Sequence, residues 1–172
     1  MSGLYIHIPF CSSKCVYCGF YSVPNTNHKE QYINALEKEI SLRRDYFRGG
    51  GLRTIYFGGG TPSKLEIADL GRILEKISEN FDSANVKELT LEGNPEQLTA
   101  DYCRDLRALG VNRLSIGVQS FQDPVLRFMG RRHTAEEAVK AIENAAAAGV
   151  DNISIDLTYG VSERGTEQGR AD

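Results

Sequence analysis

The chain has no tryptophan, only two methionines and three histidines, and no apolar run longer than a few residues. A membrane-spanning helix needs about 20 consecutive apolar residues, so none is encoded. The opening residues Met1-Ser2-Gly3-Leu4-Tyr5 lack the basic start and long apolar core of a secretory signal. A net charge of −3 and a pI near 5.7 supply no basic surface to attract nucleic acid or an anionic membrane. Internal repeats, low-complexity tracts and linkers are also missing. What is left is 172 residues, 41% apolar and 25% charged. That make-up suits one soluble globular domain, expected in the cytoplasm.

Cysteine is scarce and unevenly placed. Three of the four cysteines fall within Cys11-Ser-Ser-Lys-Cys15-Val-Tyr-Cys18, and Cys103 stands alone. An odd, crowded group is a poor disulfide framework but a good metal loop, because a short segment can fold several thiolates around one point. Structural zinc takes four protein ligands, so a zinc site here would have to recruit His7 or Cys103. A cubane iron–sulfur cluster also has four irons to ligate, and three cysteines would leave one iron open to a small molecule. An open position suits chemistry; a closed one suits structure.

The remaining sequence alternates strand and helix patterns. Strands are expected at Leu4–Ile8, Thr54–Phe57, Lys87–Glu92, Arg113–Val118 and Asn152–Leu157, each with period-two apolar residues. Helical patterns cover His28–Phe47, Lys64–Glu79 (Ser63 opening it and Glu66 completing a capping box), Thr99–Leu109 and Ala135–Ala148 (capped by Thr134 and Glu137). Gly110 and Gly149 follow the last two as C-terminal stops. Such alternation implies parallel strands joined by helical crossovers. One strand parity is apolar throughout. The other reads Tyr5/His7, Thr54/Tyr56/Gly58, Glu88/Thr90/Glu92, Arg113/Ser115/Gly117/Gln119 and Asn152/Ser154/Asp156. Burying that side dry would leave unpaired polar groups, each costing ~1–3 kcal/mol. A curved, barrel-like α/β sheet whose concave face holds water or a polar ligand avoids that cost. Polar residues and glycines also gather after the strands' C-terminal ends, where parallel α/β folds bind ligands.

Taken together, Tyr5-Ile-His7-Ile-Pro-Phe-Cys11-x3-Cys15-x-Tyr17-Cys18, Gly58-Gly-Gly-Thr-Pro62 and Arg113-x-Ser-x-Gly-Val-Gln119-Ser-Phe resemble the radical S-adenosylmethionine superfamily. Within it they resemble the group of oxygen-independent coproporphyrinogen III oxidases and HemW-type heme chaperones, from about Leu4 to Gly160. The resemblance implies a partial, open (β/α) barrel of about five parallel strands. It implies that Cys11, Cys15 and Cys18 ligate three irons of a 4Fe–4S cluster whose fourth iron is chelated by S-adenosylmethionine. Reductive cleavage of the sulfonium then gives methionine and a 5′-deoxyadenosyl radical. Tyr5, Tyr17, Gly59, Gly60, Thr61, Glu92, Gln119, Arg131 and Asp156 would surround S-adenosylmethionine. The implied partners are a porphyrinogen or heme as small molecule, heme as possible cargo, and an electron-donor protein. The oxidases carry a further cysteine two positions after the third ligand, where this chain has Phe20, and a longer segment ahead of the first motif; both differences favour the chaperone-like branch. After Gly160 the family pattern stops. Residues 1–160 are therefore expected to be an incomplete barrel core and 161–172 a disordered, non-family tail, as in a truncated or frame-shifted reading frame. The unpaired edge of Asn152–Leu157 would be left exposed.

Plainer roles are expected elsewhere. Gly49-Gly50-Gly51 is assigned no function, and a Gly-rich loop such as Gly58–Gly60 taken alone is as readily a tight turn. His7 reads as a hydrogen-bonded lumen residue, and His28 and His133 as solvated. Cys103 reads as a small buried apolar group, and Ala145–Ala148 as helix packing. Arg131-Arg132-His133 would ordinarily be a solvated basic turn, and only the family resemblance gives Arg131 a site role.

Overall fold

The computed structural model describes residues 2–19, 21–47 and 51–161. Five strands, β1 (Ser2–Ile8), β2 (Leu52–Gly59), β3 (Glu88–Gly93), β4 (Arg113–Gln119) and β5 (Asn152–Leu157), form one sheet in the order of the chain. Every pairing is parallel. The intervening helices are α1 (Lys29–Leu42), α2 (Ile67–Asn80), α3 (Ala100–Ala108), α4 (Asp123–Met129) and α5 (Ala135–Ala147). Among the described residues β1 and β5 are not paired with each other, so the sheet is open.

Strand parity sorts the side chains as the alternation requires. Ile6, Ile8, Phe57, Leu91, Leu114, Ile116 and Val118 are buried in one core cluster. Against them pack Ile33 and Ile40 of α1, Leu70, Ile73 and Ile77 of α2, Cys103 and Leu106 of α3, and Ala138, Ala141 and Ala145 of α5. Outside the core, Lys29 joins α1 to α2 through Asp69 at 2.6 Å, and Arg72 reaches back to Glu30 at 2.9 Å. The polar parity is not uniformly open. At its lower end Arg113 donates to Thr90 Oγ1 and Ser154 Oγ, and Ser154 donates to Ser115 Oγ, so the buried hydroxyls there satisfy one another. The end at the strand C-termini opens into a cavity.

Several local expectations change. The helix expected over His28–Phe47 stops at Leu42, and Phe47 packs edge-on against Phe81 from the turn beyond. The helix expected from Lys64 starts at Ile67 instead. Pro62–Lys64 forms a separate 3₁₀ turn, Leu65 is extended, and the capping box is Glu66 with Asp69. Ser63 is not the cap; its hydroxyl accepts from Asn94 N and donates to Gln97, and so serves the cavity wall. The Thr134–Glu137 box stands where expected. Helix α4 has no counterpart among the expected elements, because at seven residues it is too short for a period to register. His133 is not solvated but 3% exposed, because the segment after α4 turns its ring in towards the end of β4. His28 is exposed and Cys103 fully buried. The uncovered face of β5 shows in Ile155 and Leu157, 37% and 44% exposed. Phe20, Gly49, Gly50 and residues 162–172 lie outside the described residues, and so does the expectation of a disordered tail.

Leu114 sits on interior strand β4 with no exposure. Leu114→Ala is expected to lower the unfolding free energy by about 2–5 kcal/mol in a urea titration, through lost burial and a residual cavity.

Candidate functional site

The cysteine loop is tied down at both ends. Val23 N donates to Pro9 O at 2.8 Å and Cys11 N to Val23 O at 3.0 Å, closing the loop as a single parallel bridge between Phe10 and Val23. The buried ring of Phe10 meets Tyr32 edge-on at 5.4 Å. At the tip, Cys18 N donates to Cys15 O, and Val16 N reaches Met129 O on α4. Cys11, Cys15 and Cys18 are all free thiols and half-buried. Thr61 Oγ1 faces Cys11 Sγ at 3.5 Å, and an Arg131 N–H faces Cys15 Sγ at 3.7 Å.

The glycines after β2 have separate reasons. Gly59 has φ 114°, and its N–H donates to Glu92 Oε2 at 3.0 Å. A side chain there would strike the His7 ring at 2.6 Å. Gly60 donates to Ile8 O at 2.7 Å, and a Cβ would lie 2.9 Å from the Pro9 and Phe10 backbone. Gly60 thus lets the second loop lie flat on the root of the cysteine loop while it lines the cavity.

Glu92 is held on both oxygens, by Gly59 N and by Tyr56 OH at 2.7 Å. Burial and then this carboxylate push the Tyr56 phenol up to about 12. Tyr5 stacks on Tyr56 and bonds His7 Nδ1 at 3.1 Å; burial and Glu92 raise its phenol too. Tyr17 is pushed up to about 12 by burial, with Arg131 opposing and Cys15 adding.

Asn94 joins the walls. Its amide donates to Thr61 Oγ1, its Oδ1 accepts from Arg131 at 2.8 Å, and its backbone N–H is held by Ser63. Arg131 also donates to the Gly117 carbonyl, while its Nε is buried without a partner among the described residues. Gln119 takes a positive φ of 68°, the only non-glycine described residue to do so, and Thr158 Oγ1 donates to its side chain at 2.7 Å.

These loops enclose a cavity of about 330 Å³. Tyr5, Cys11, Cys15, Tyr17, Cys18, Gly59, Gly60, Thr61, Glu92, Gln119, Arg131 and Asp156 all line it, so the structure brings together every site residue expected from the sequence. Asn94 and Glu96 line it too and were missed. The Asn94 signal was its place just past a strand end, and Glu96 sits in an otherwise ordinary turn. His7 and Cys103, which a four-ligand zinc site would need, are not in the lining. Among the described residues no three His, Cys, Asp or Glu side chains converge as a preformed metal site. The cavity therefore gathers three separate thiols from one loop, the Arg131 guanidinium, and the carboxylates of Glu92, Glu96 and Asp156 in one lining. That pattern suits a small zwitterion with hydroxyls, because the guanidinium can hold a carboxylate and the acids an ammonium.

The radical SAM superfamily model matches residues 5–168. The chain is 40% identical over 172 residues to the heme chaperone HemW of Lactococcus lactis, covering 99% of this chain and 44% of that protein. It is 37% identical over 167 residues to the oxygen-independent coproporphyrinogen III oxidase of Escherichia coli, covering 96% of this chain and 36% of that protein. The solved structure of coproporphyrinogen III oxidase (HemN) from Escherichia coli, described as a radical SAM enzyme, superposes with a TM-score of 0.89 at 37% identity. It covers 98% of this chain and 39% of that one. The chain spans less than half the length of these relatives.

Two outcomes follow from the geometry. In the metal-free chain a thiol reagent should titrate three cysteines quickly and Cys103 slowly, because burial removes Cys103 from solvent and pushes its thiol up to about 11. The second concerns alkaline pH. The folded Tyr56 phenol keeps its proton to about 12 while the unfolded one ionises near 10. Its stabilisation is thus complete below pH 10 and lost as pH rises towards 12. Tyr56→Phe should flatten that loss in unfolding midpoints measured across the same window.

Proposed function

The chain belongs to the radical SAM superfamily, and from that premise we propose that it is the cofactor-binding core of a radical S-adenosylmethionine protein of porphyrin or heme metabolism. One observation carries the reading: three free thiols open onto the same cavity as Glu92, Gln119, Arg131 and Asp156. The donor set fits. Three soft sulfurs with no fourth protein ligand among the described residues suit an iron–sulfur cluster with one open iron better than structural zinc. The buried, unpartnered Arg131 Nε adds a cation whose hydrogen-bonding capacity the chain does not exhaust.

In this reading Cys11, Cys15 and Cys18 hold a 4Fe–4S cluster. When bound, cluster and S-adenosylmethionine together supply reductive cleavage of the sulfonium. The chain's own residues position and shield. Arg131 orients the carboxylate of S-adenosylmethionine, with Asn94 and the Gly117 carbonyl fixing the guanidinium plane. Glu92, held by Tyr56 and Gly59, is directed at the ammonium end, while Asp156 and Gln119 face the ribose. Tyr5 and Tyr17 cover the site as neutral phenols.

The substrate in this reading is a porphyrinogen, the class of molecule the oxidase relatives are named for, with a donor protein supplying the electron for sulfonium cleavage. A second reading, heme carried and handed on, is favoured by Phe20 at the position where the oxidases have a cysteine. Both share the cluster site.

After anaerobic reconstitution the protein should hold about four irons per chain with matching sulfide. Addition of a strong reductant should then release methionine from S-adenosylmethionine. Cys15→Ser should lose most of the iron and all methionine release. Zinc without iron or sulfide in the intact chain would sink the proposal. Carboxyl loss from coproporphyrinogen against stoichiometric heme binding separates the two substrate readings.

A further inference from the structure

The end of β4 breaks the regular ladder on both sides. Pairing with β3 ends at Gly93 and Ile116. Pairing with β5 jumps from Ile116–Ile155 to Gln119–Leu157, so Gly117 and Val118 stand opposite Asp156 alone. This is a bulge, which bends a strand and disrupts its backbone hydrogen bonding. Both carbonyls find donors from one short segment. Arg131 donates to Gly117 O, and His133 Nε2 lies 2.9 Å from Val118 O. The two donors lie two residues apart, on either side of the exposed Arg132, and so grip successive carbonyls.

The Val118 carbonyl also accepts Ser120 N at 2.9 Å, closing a three-residue turn around Gln119 at φ 68°. Turns of this hand are strained for any residue but glycine. The strain falls on a residue that lines the cavity, and it persists only if neighbours over-determine it.

His133 is built for that task. Its side chain has no exposure. A carbonyl only accepts, so Nε2 carries the proton of that bond. Nδ1 then faces Glu96 Oε2 at 3.7 Å, and both atoms are buried without a hydrogen-bond partner among the described residues. Among the described residues Glu96 is the one carboxylate within ion-pair distance of the ring, too far for a direct hydrogen bond but close enough to bias its orientation. Burial pushes the Glu96 carboxyl up, but His133, its own backbone, Gln97 and Arg131 outweigh this and hold it below its ordinary value.

We propose that His133, oriented by Glu96, is a positioning residue that pins the Val118 carbonyl and so keeps Gln119 in its strained turn at the cavity wall. The inference rests on the reading of that cavity as the S-adenosylmethionine site. It assigns to the clip at 131–133 two functions at once, ligand contact from Arg131 and backbone control from His133.

The test measures S-adenosylmethionine affinity by calorimetry on the anaerobically reconstituted full chain without reductant, so that no turnover occurs. H133F should raise Kd at least tenfold. H133Q, whose amide N–H can still reach Val118 O, should stay within threefold of the parent. In a Q119G background, where the turn needs no pin, H133F should change Kd by less than threefold. Equal weakening in both backgrounds, or H133Q as damaging as H133F, overturns the proposal. If H133F loses its cooperative melt, E96A takes its place with the same background-dependent weakening expected, and background-independent weakening or none overturns it. If the parent chain itself does not bind S-adenosylmethionine, the cofactor reading has failed. The pin is then judged alone by Ser120 amide exchange, expected at least tenfold faster in H133F (or E96A) and little changed in H133Q; an unchanged rate in the former overturns it.

Discussion

A strand has two faces, and in this sheet only one of them is apolar enough to be buried dry. The helix layer takes that face and makes the core around Leu91, Leu114 and Ile116. Everything about the site follows from what the other face must do with its polar groups. Near the strand N-termini they pair with one another, through Arg113, Thr90, Ser115 and Ser154. Near the C-termini the chain leaves the sheet in loops, and the polar face is left to surround a cavity. Water or a polar ligand there costs less than unpaired groups in a dry core.

The loops do not hang freely over that cavity. The cysteine loop is closed at its root by Val23 and held at its tip by α4. The Gly58–Gly60 loop lies on the same root because no side chain fits between Gly60 and the Pro9–Phe10 backbone. Asn94 then ties the third loop to the second and to Arg131. The three thiols are thus set on a rigid base, although among the described residues they do not form a closed metal site. A cluster with an open iron asks for this arrangement, with ligands from one loop and a cavity beside them.

Among the described residues, three buried polar atoms without partners, on Glu96, Arg131 and His133, lie close together beside this cavity. Native interiors rarely leave such groups unpaired, and where they do, a proton or ligand is commonly involved. Here they flank the bulge of β4 and the positive-φ turn at Gln119. A bulge, a strained turn and orphan polar atoms in one place mark the part of the fold where regular pairing has been given up to shape a site.

Sequence by itself determined the strand–helix order, the parity of the strands and the residues that gather at their C-terminal ends. These depend on local periodicity, and period two survives folding because each side chain must choose a face. It also determined the cysteine spacing and the Thr134 cap, both set within a few residues. It did not determine that Ser63 leaves its helix to hold Asn94, that Gly60 serves packing, or that His133 is buried. Each of those depends on a neighbour 15 or more residues away in the chain, where no local pattern carries the information. Only the tertiary structure decided that Arg131 and His133 would meet two carbonyls of β4. The reason is that those carbonyls become available only once the sheet has bulged.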